Sequence, residues 1–235
     1  MKLIRNCLKW LLVLILLAAV GVCAVFGTEG YRMYKAAVLE VPIDEKVQNI
    51  ESRDGYLKYE DLPQIYIDAV ISVEDRRFWD HGGVDPFAVG RAILNDIRTL
   101  SAAEGGSTIT QQLAKNLYFT QEQSLRRKLA EIFVARDLER HFSKDQILEA
   151  YINCIYYGDG YYSIHDASVG YFGVVPIQMS NDQATLLAGV PNAPSRYAPS
   201  TNMALARQRQ QHVLSAMVAE GYLTEEEALA IPQGY

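Results

Sequence analysis

The sequence predicts a mainly α-helical domain behind one N-terminal membrane-spanning helix. Three observations lead there: an uncharged apolar run near the N-terminus, a succession of helix-start signals with apolar spacing near 3.6, and no strand-rich run with hairpin turns. A hydrophobic content of 49% and a charged content of 21% over 235 residues are those of a folded chain.

Trp10 to Gly27 is uncharged and, at roughly 18 residues, near the lower limit for crossing a bilayer. Lys2, Arg5 and Lys9 precede it and Glu29 follows. The positive-inside rule then places residues 1–9 in the cytoplasm and everything after the 10–27 anchor outside. Val22-Cys23-Ala24 is a passable cleavage site, but the long apolar run favours an uncleaved anchor over a signal peptide. A lipoprotein anchor at Cys23 is disfavoured by bulky Val22. The chain carries 28 acidic against 22 basic residues, and the outer part is the more acidic once the three basic residues before the anchor are set aside. That balance excludes nucleic acid as a partner, so any basic binding feature must be local. Cys7 and Cys23 belong to the anchor region and Cys154 stands alone, which leaves no disulfide within the domain.

Residues 28–60 read as a connector, extended at Val41-Pro42-Ile43. The main domain, 61–235, then runs helix after helix. Asp61 is placed to cap a helix reaching about Val73, with Pro63 in its first turn. Asp85-Pro86 opens another, carrying Phe87, Val89, Ile93, Leu94 and Ile97. Thr120 with Gln123, Ser143 with Gln146, Ser180 with Gln183 and Thr224 with Glu227 fit the capping-box pattern.

Two stretches carry the chemistry. In Glu74-Asp75-Arg76-Arg77-Phe78-Trp79-Asp80-His81-Gly82-Gly83, a carboxylate follows an apolar helix and precedes aromatic residues. Such surroundings raise a carboxylate pKa by desolvation, while Arg76 or Arg77 would lower it. In Gly105-Gly106-Ser107-Thr108-Ile109-Thr110-Gln111-Gln112-Leu113-Ala114-Lys115-Asn116, a glycine turn enters a helix offering hydroxyls, amides and an ammonium. Helix N-termini and cations suit phosphate oxygens. An acid/base beside an anion cradle is what glycosyl transfer from a diphosphate-linked sugar needs. Further on, Arg127, Lys128 and Glu131 share a helical face, in isolation a surface ion-pair cluster.

Together these strings resemble the peptidoglycan glycosyltransferases (glycosyltransferase family 51), which polymerise lipid II. The resemblance runs from about Glu74 to Tyr197 and implies a lysozyme-like, two-lobed helical fold. It implies Glu74 as general base toward the 4-hydroxyl of an acceptor N-acetylglucosamine. Ser107, Thr108, Gln111, Gln112, Lys115, Arg127 and Lys128 would bind the lipid diphosphate of the donor. Glu131 falls on the family's third motif, where it would orient a phosphate-bound divalent cation, Mg or Mn, or stabilise the reaction centre. Asp75, Phe78, His81 and Asn116 would support the site. Glu149 and Asn153, in Ser143-Lys144-Asp145-Gln146-Ile147-Leu148-Glu149-Ala150-Tyr151-Ile152-Asn153, would be polar scaffolding behind it. Gln123 departs from the family pattern, standing where many relatives carry Arg or Lys. Pro191-Asn192-Ala193-Pro194-Ser195-Arg196-Tyr197 matches the closing motif, read as a structural turn.

The expected function is inverting β-1,4 polymerisation of lipid II in bacterial cell wall synthesis, by an enzyme held in the cell membrane with its catalytic domain extracytoplasmic. Expected partners are lipid II, the growing lipid-linked glycan, the membrane and other wall-synthesis proteins. No Ser-x-x-Lys occurs, so the expectation is a monofunctional enzyme without a transpeptidase half. Two alternatives stand beside it. A lysozyme-like wall hydrolase or lytic transglycosylase would use Glu74 as an acid but needs no diphosphate cradle. A catalytically silent, anchored scaffold would not need Glu74 and Glu131.

Overall fold

The computed structural model describes residues 25–99, 106–120 and 124–231, with Trp10, Val13 and Gly21, and excludes the side chains of 93–99. The expected membrane segment, Gly105 and Gln123 lie wholly or largely outside the described residues. Among the described residues no helix is long and apolar enough to cross a membrane.

The described residues form helices and short 3-10 turns, with no strand among them. The twelve helices are α1 (25–40), α2 (Ile43–Glu51), α3 (Gln64–Glu74), α4 (Pro86–Thr99), α5 (Ile109–Tyr118), α6 (Leu125–His141), α7 (Lys144–Ile152), α8 (Ile164–Phe172), α9 (Asn181–Gly189), α10 (Pro194–Tyr197), α11 (Pro199–Ala219) and α12 (Glu225–Ala230).

The connector expected at 28–60 is mostly helical and belongs to the core. Tyr34, Ile43, Val47 and Ile50 are buried, α2 packs on α7, and the Tyr34 hydroxyl donates to Asp137 of α6. Apolar residues three and four apart on α2 give one buried face. The extended Val41-Pro42 dipeptide survives only as the joint before it, Pro42 having ψ 152°.

Helix α3 is the central element. Tyr66, Ile67, Ala69, Val70 and Ile71 are buried, the helix packing against α9 and α11, while Gln64 and Asp68 mark its narrow polar side. A second group packs α5 against α6 and α7. The α9–α11 contact is fastened by buried Asp182, which accepts from both ends of the Arg207 guanidinium and from Gln210 Nε2 at 2.8 Å. A buried carboxylate persists there because its oxygens are satisfied.

Side-chain caps set most helix starts. Ser143, Ser180 and Thr224 form the expected reciprocal boxes with Gln146, Gln183 and Glu227. Asp85 Oδ1 accepts from Phe87 N at 2.8 Å, so it does open α4. One expected cap is displaced: Asp61 ends a 3-10 turn and folds back on Lys58 N, leaving Pro63 as the residue before α3. Ser124 caps α6 by accepting from Arg127 N, and the expected Thr120–Gln123 box falls on Gln123, outside the described residues.

Candidate active site

Glu74 is the last residue of α3, at the end of a helix whose apolar sides draw it inward. Its side chain is 8% exposed. Burial pushes the carboxyl above its ordinary value, and Asp75 adds to that; a hydrogen bond from Gln112 and the charges of Arg209 and Lys115 oppose it. A helix C-terminus also disfavours negative charge. Oε2 accepts from Gln112 Nε2 at 2.8 Å. Oε1 is buried without a hydrogen bond, 3.7 Å from Arg209 Nη2. This is a carboxylate with one hydrogen-bonded oxygen and one without a hydrogen bond.

Glu74 opens onto a cleft of about 550 Å³ whose walls include Asp75, Ser107, Thr108, Gln112, Lys115 and Arg209, with Asp85, Arg91, Pro191 and Asn192. The two sequence stretches therefore meet, as their chemistry requires. Lys115 is half-buried one helical turn beyond Gln112, and burial lowers its pKa. Behind it, Lys128 Nζ donates to Ser107 Oγ at 2.5 Å. Glu131 is buried between two cations, with Oε1 3.1 Å from Arg127 Nη1 and Oε2 3.2 Å from Lys128 Nζ.

Several expected site residues are engaged elsewhere. Gln111 is 2% exposed, and its Oε1 accepts from Thr108 N at 3.1 Å while Thr108 Oγ1 accepts from Gln111 N. It closes a capping box rather than lining the cleft, because it lies about 100° round the helix from Gln112. Ile109 N donates to Asp75 Oδ2 at 3.0 Å. The N–H groups of Thr108, Ile109 and Gln111 are thus satisfied internally, and the cleft lining here is made by the side chains of Ser107, Gln112 and Lys115.

Asp75 also accepts at Oδ1 from His81 Nε2 at 2.8 Å, which places both residues in the frame joining α3 to α5. Phe78 is fully buried, with Lys144 Nζ 4.3 Å from its ring centroid. Gly83, at φ +66°, comes so close to α6 that a Cβ would lie 3.0 Å from Ala135 O. Its N–H donates to Glu139 and its carbonyl accepts from Thr108 Oγ1. Asn116 donates to Gln112 O and faces away from the cleft. Glu149 accepts from the Tyr56 hydroxyl and Tyr59 N, and Asn153 pairs with both backbone groups of Leu57. These two hold residues 56–59 against α7.

The transglycosylase family profile matches residues 43–218. The chain belongs to the transglycosylase family. It is 44% identical over 172 residues to penicillin-binding protein 1A of Aquifex aeolicus (strain VF5), covering 73% of this chain and 24% of that one. It is 41% identical over 169 residues to penicillin-binding protein 1F of Bacillus subtilis (strain 168), covering 72% and 24%. Penicillin-binding protein 1A of Vibrio cholerae serotype O1 is 36% identical over 244 residues, covering 97% and 29%. The chain spans about a quarter of the length of these curated relatives.

Arg209 was not foreseen from the sequence. The signal available was weak: a cation between buried Ala206 and Val213 on one face of α11. Its Nε donates to Gly189 O at 3.4 Å, which directs the guanidinium toward Glu74. Of the two arginines expected to act on Glu74, Arg76 lines the cleft and reaches Glu220 at 3.5 Å, while Arg77 forms a fork with Asp85, whose carboxyl it holds below the ordinary range.

For a divalent cation the donor set is thin. Among the described residues no three His, Cys, Asp or Glu side chains cluster, and both Glu131 oxygens face cations. The residues fit such an ion only if a substrate diphosphate brings most of its oxygen ligands.

Proposed function

We propose that this chain polymerises lipid II into β-1,4-linked glycan with inversion and release of lipid diphosphate, as an enzyme of bacterial cell wall synthesis. The observation that carries the reading is a buried Glu74 whose Oε1 has no hydrogen bond, on the wall of a cleft shared with Lys115. Glu74 withdraws the proton of an acceptor 4-hydroxyl as that oxygen bonds to the donor anomeric carbon. The bond from that carbon to the diphosphate breaks, and Lys115, with Ser107 and Lys128 beside it, receives the leaving oxygens. Inversion follows from direct displacement with no glycosyl-enzyme intermediate. A Mg or Mn ion on the diphosphate, near Glu131, would neutralise leaving-group charge.

The lysozyme-like two-lobed arrangement belongs to the same proposal. So does a single membrane-spanning helix at 10–27, with the catalytic domain outside the cytoplasm; the uncharged run and the basic residues before it support this. The lipid-borne substrate supports a place at the membrane, where other wall-synthesis proteins are the natural partners.

The test is glycan formation from lipid II by the detergent-solubilised chain. Glu74→Gln keeps shape and removes the base, so polymer formation should fall at least ~10²-fold. Near-wild-type turnover would remove Glu74 from the mechanism.

A further inference from the structure

The Gln112 side chain is held at both ends of its amide. Nε2 donates to Glu74 Oε2 at 2.8 Å, and Oε1 accepts from the Tyr151 hydroxyl at 3.2 Å. Tyr151 comes from α7, which packs on α5, and is fully buried. Burial pushes its hydroxyl well above the ordinary range, so it keeps its proton wherever the enzyme works.

The arrangement has a direction. The O–H of Tyr151 points at the carbonyl of Gln112, and the amide N–H of Gln112 points at the carboxylate. Two dipoles in line present positive ends to Glu74 and favour its charged form. A glutamine amide by itself has a broad, twofold terminal torsion. Turned over, it would set a carbonyl against the carboxylate. With Glu74 charged, only the orientation seen gives the amide a favourable partner at each end, Tyr151 donating to its carbonyl and the carboxylate accepting from its N–H.

We infer that Tyr151 is a positioning residue of the reaction, which through Gln112 occupies Oε2 of Glu74 and reserves Oε1 for the acceptor's proton. The inference rests on the reading of Glu74 as base. The acceptor proton moves to Oε1 as the new carbon–oxygen bond forms and the lipid diphosphate departs. Gln112 and Tyr151 keep their own protons throughout.

The other groups around the carboxylate are distinct from this chain of bonds. Arg209 of α11 and Lys115 of α5 favour its charged form, and Asp75 opposes it. Tyr66 of α3 is equally buried, but its hydroxyl pairs with that of Tyr157 at 2.5 Å. Tyr66 therefore serves as the control.

The experiment measures polymerisation of lipid II by the full chain against pH, with melting temperatures, for Tyr151→Phe, Gln112→Met, their double variant and Tyr66→Phe. Tyr151→Phe should lower kcat roughly 3- to 10-fold with KM little changed. It should also move the acidic limb of the profile to higher pH, because the charged form of Glu74 has lost support. Gln112→Met should shift that limb further, and the double variant should match Gln112→Met alone, since Tyr151 acts only through the amide. Tyr66→Phe should lower the melting temperature and leave the limb in place. An unmoved limb in Tyr151→Phe, additive losses in the double variant, or an equal shift in Tyr66→Phe would overturn the inference. Full activity in Glu74→Gln would instead remove the base itself, so the two failures are distinguishable.

Discussion

Asp75 Oδ2 accepts the backbone N–H of Ile109 at 3.0 Å, joining the end of α3 to the start of α5. Glu74 precedes the first of these residues, and the second opens the helix that carries Gln112 and Lys115. One carboxylate thus sets the base against the cation. Its other oxygen holds His81, so the pair Asp75–His81 works as a bracket.

The bracket predicts a stability effect. Asp75→Ala strands the Ile109 N–H and the His81 ring in a buried place, which should cost about 2–4 kcal/mol. Asp75→Asn keeps an acceptor and the shape and should cost less. Urea unfolding of both variants checks the order. Equal, negligible losses would show that the bracket is not holding the two helices.

Thr108 should behave as a cap with an added tie. Its hydroxyl accepts from Gln111 N and donates to Gly83 O at 2.7 Å, so Thr108→Ala removes both bonds. A loss of about 1–2 kcal/mol is expected, with Thr108→Ser recovering most of it. Comparison of the two urea midpoints decides whether the hydroxyl or the methyl group matters.

Local signals were legible in the sequence and contacts across the fold were not. The boxes at Ser143, Ser180 and Thr224 are complete within four residues, and the structure has all three. The strings around Glu74 and Lys115 could be matched residue by residue, and both line one cleft. Gln111 and Gln112 look alike in a string, yet one turns into a capping box and the other to Glu74, a distinction set by helix rotation. Arg209 lies far along the chain from Glu74, and nothing near it in sequence announces the contact. The 28–60 segment read as a connector because it carries few signals of long-range contact; Ile43, Val47 and Ile50 are buried on α2, which packs on α7.

Glu74→Gln should separate function from stability. In the folded chain the Glu74 carboxyl binds its proton more tightly than its ordinary value of 4.5 implies. Between 4.5 and the raised value the native state holds more protons than the unfolded state, so stability declines as pH rises through that window. Glutamine carries no such dependence. The variant should be more resistant to urea than wild type at neutral pH, with the gap closing as pH falls through that window toward 4.5. A gap independent of pH would mean that the buried charge is not its cause.

Lys115→Met extends the same argument to the cation. Burial is the largest influence on Lys115 and lowers its pKa from 10.5; Glu131 and Glu74 pull the other way, while Arg127 and Lys128 add to the lowering. The unfolded chain therefore holds this proton more firmly than the native state. Stability rises with pH across the interval between the lowered value and 10.5, and at neutral pH the ammonium is a cost to the fold. Methionine keeps the length of the side chain without the charge. The variant should unfold at higher urea than wild type at neutral pH, and the difference should shrink as pH approaches 10.5. Its affinity for a diphosphate donor analogue should fall by about 1.5–3 kcal/mol, the worth of a charge-assisted hydrogen bond to phosphate. Titration calorimetry with that analogue, beside urea unfolding at several pH values, reads both effects. A stabilised protein that binds the analogue as tightly as wild type would place the diphosphate elsewhere and leave Lys115 a buried charge without a ligand.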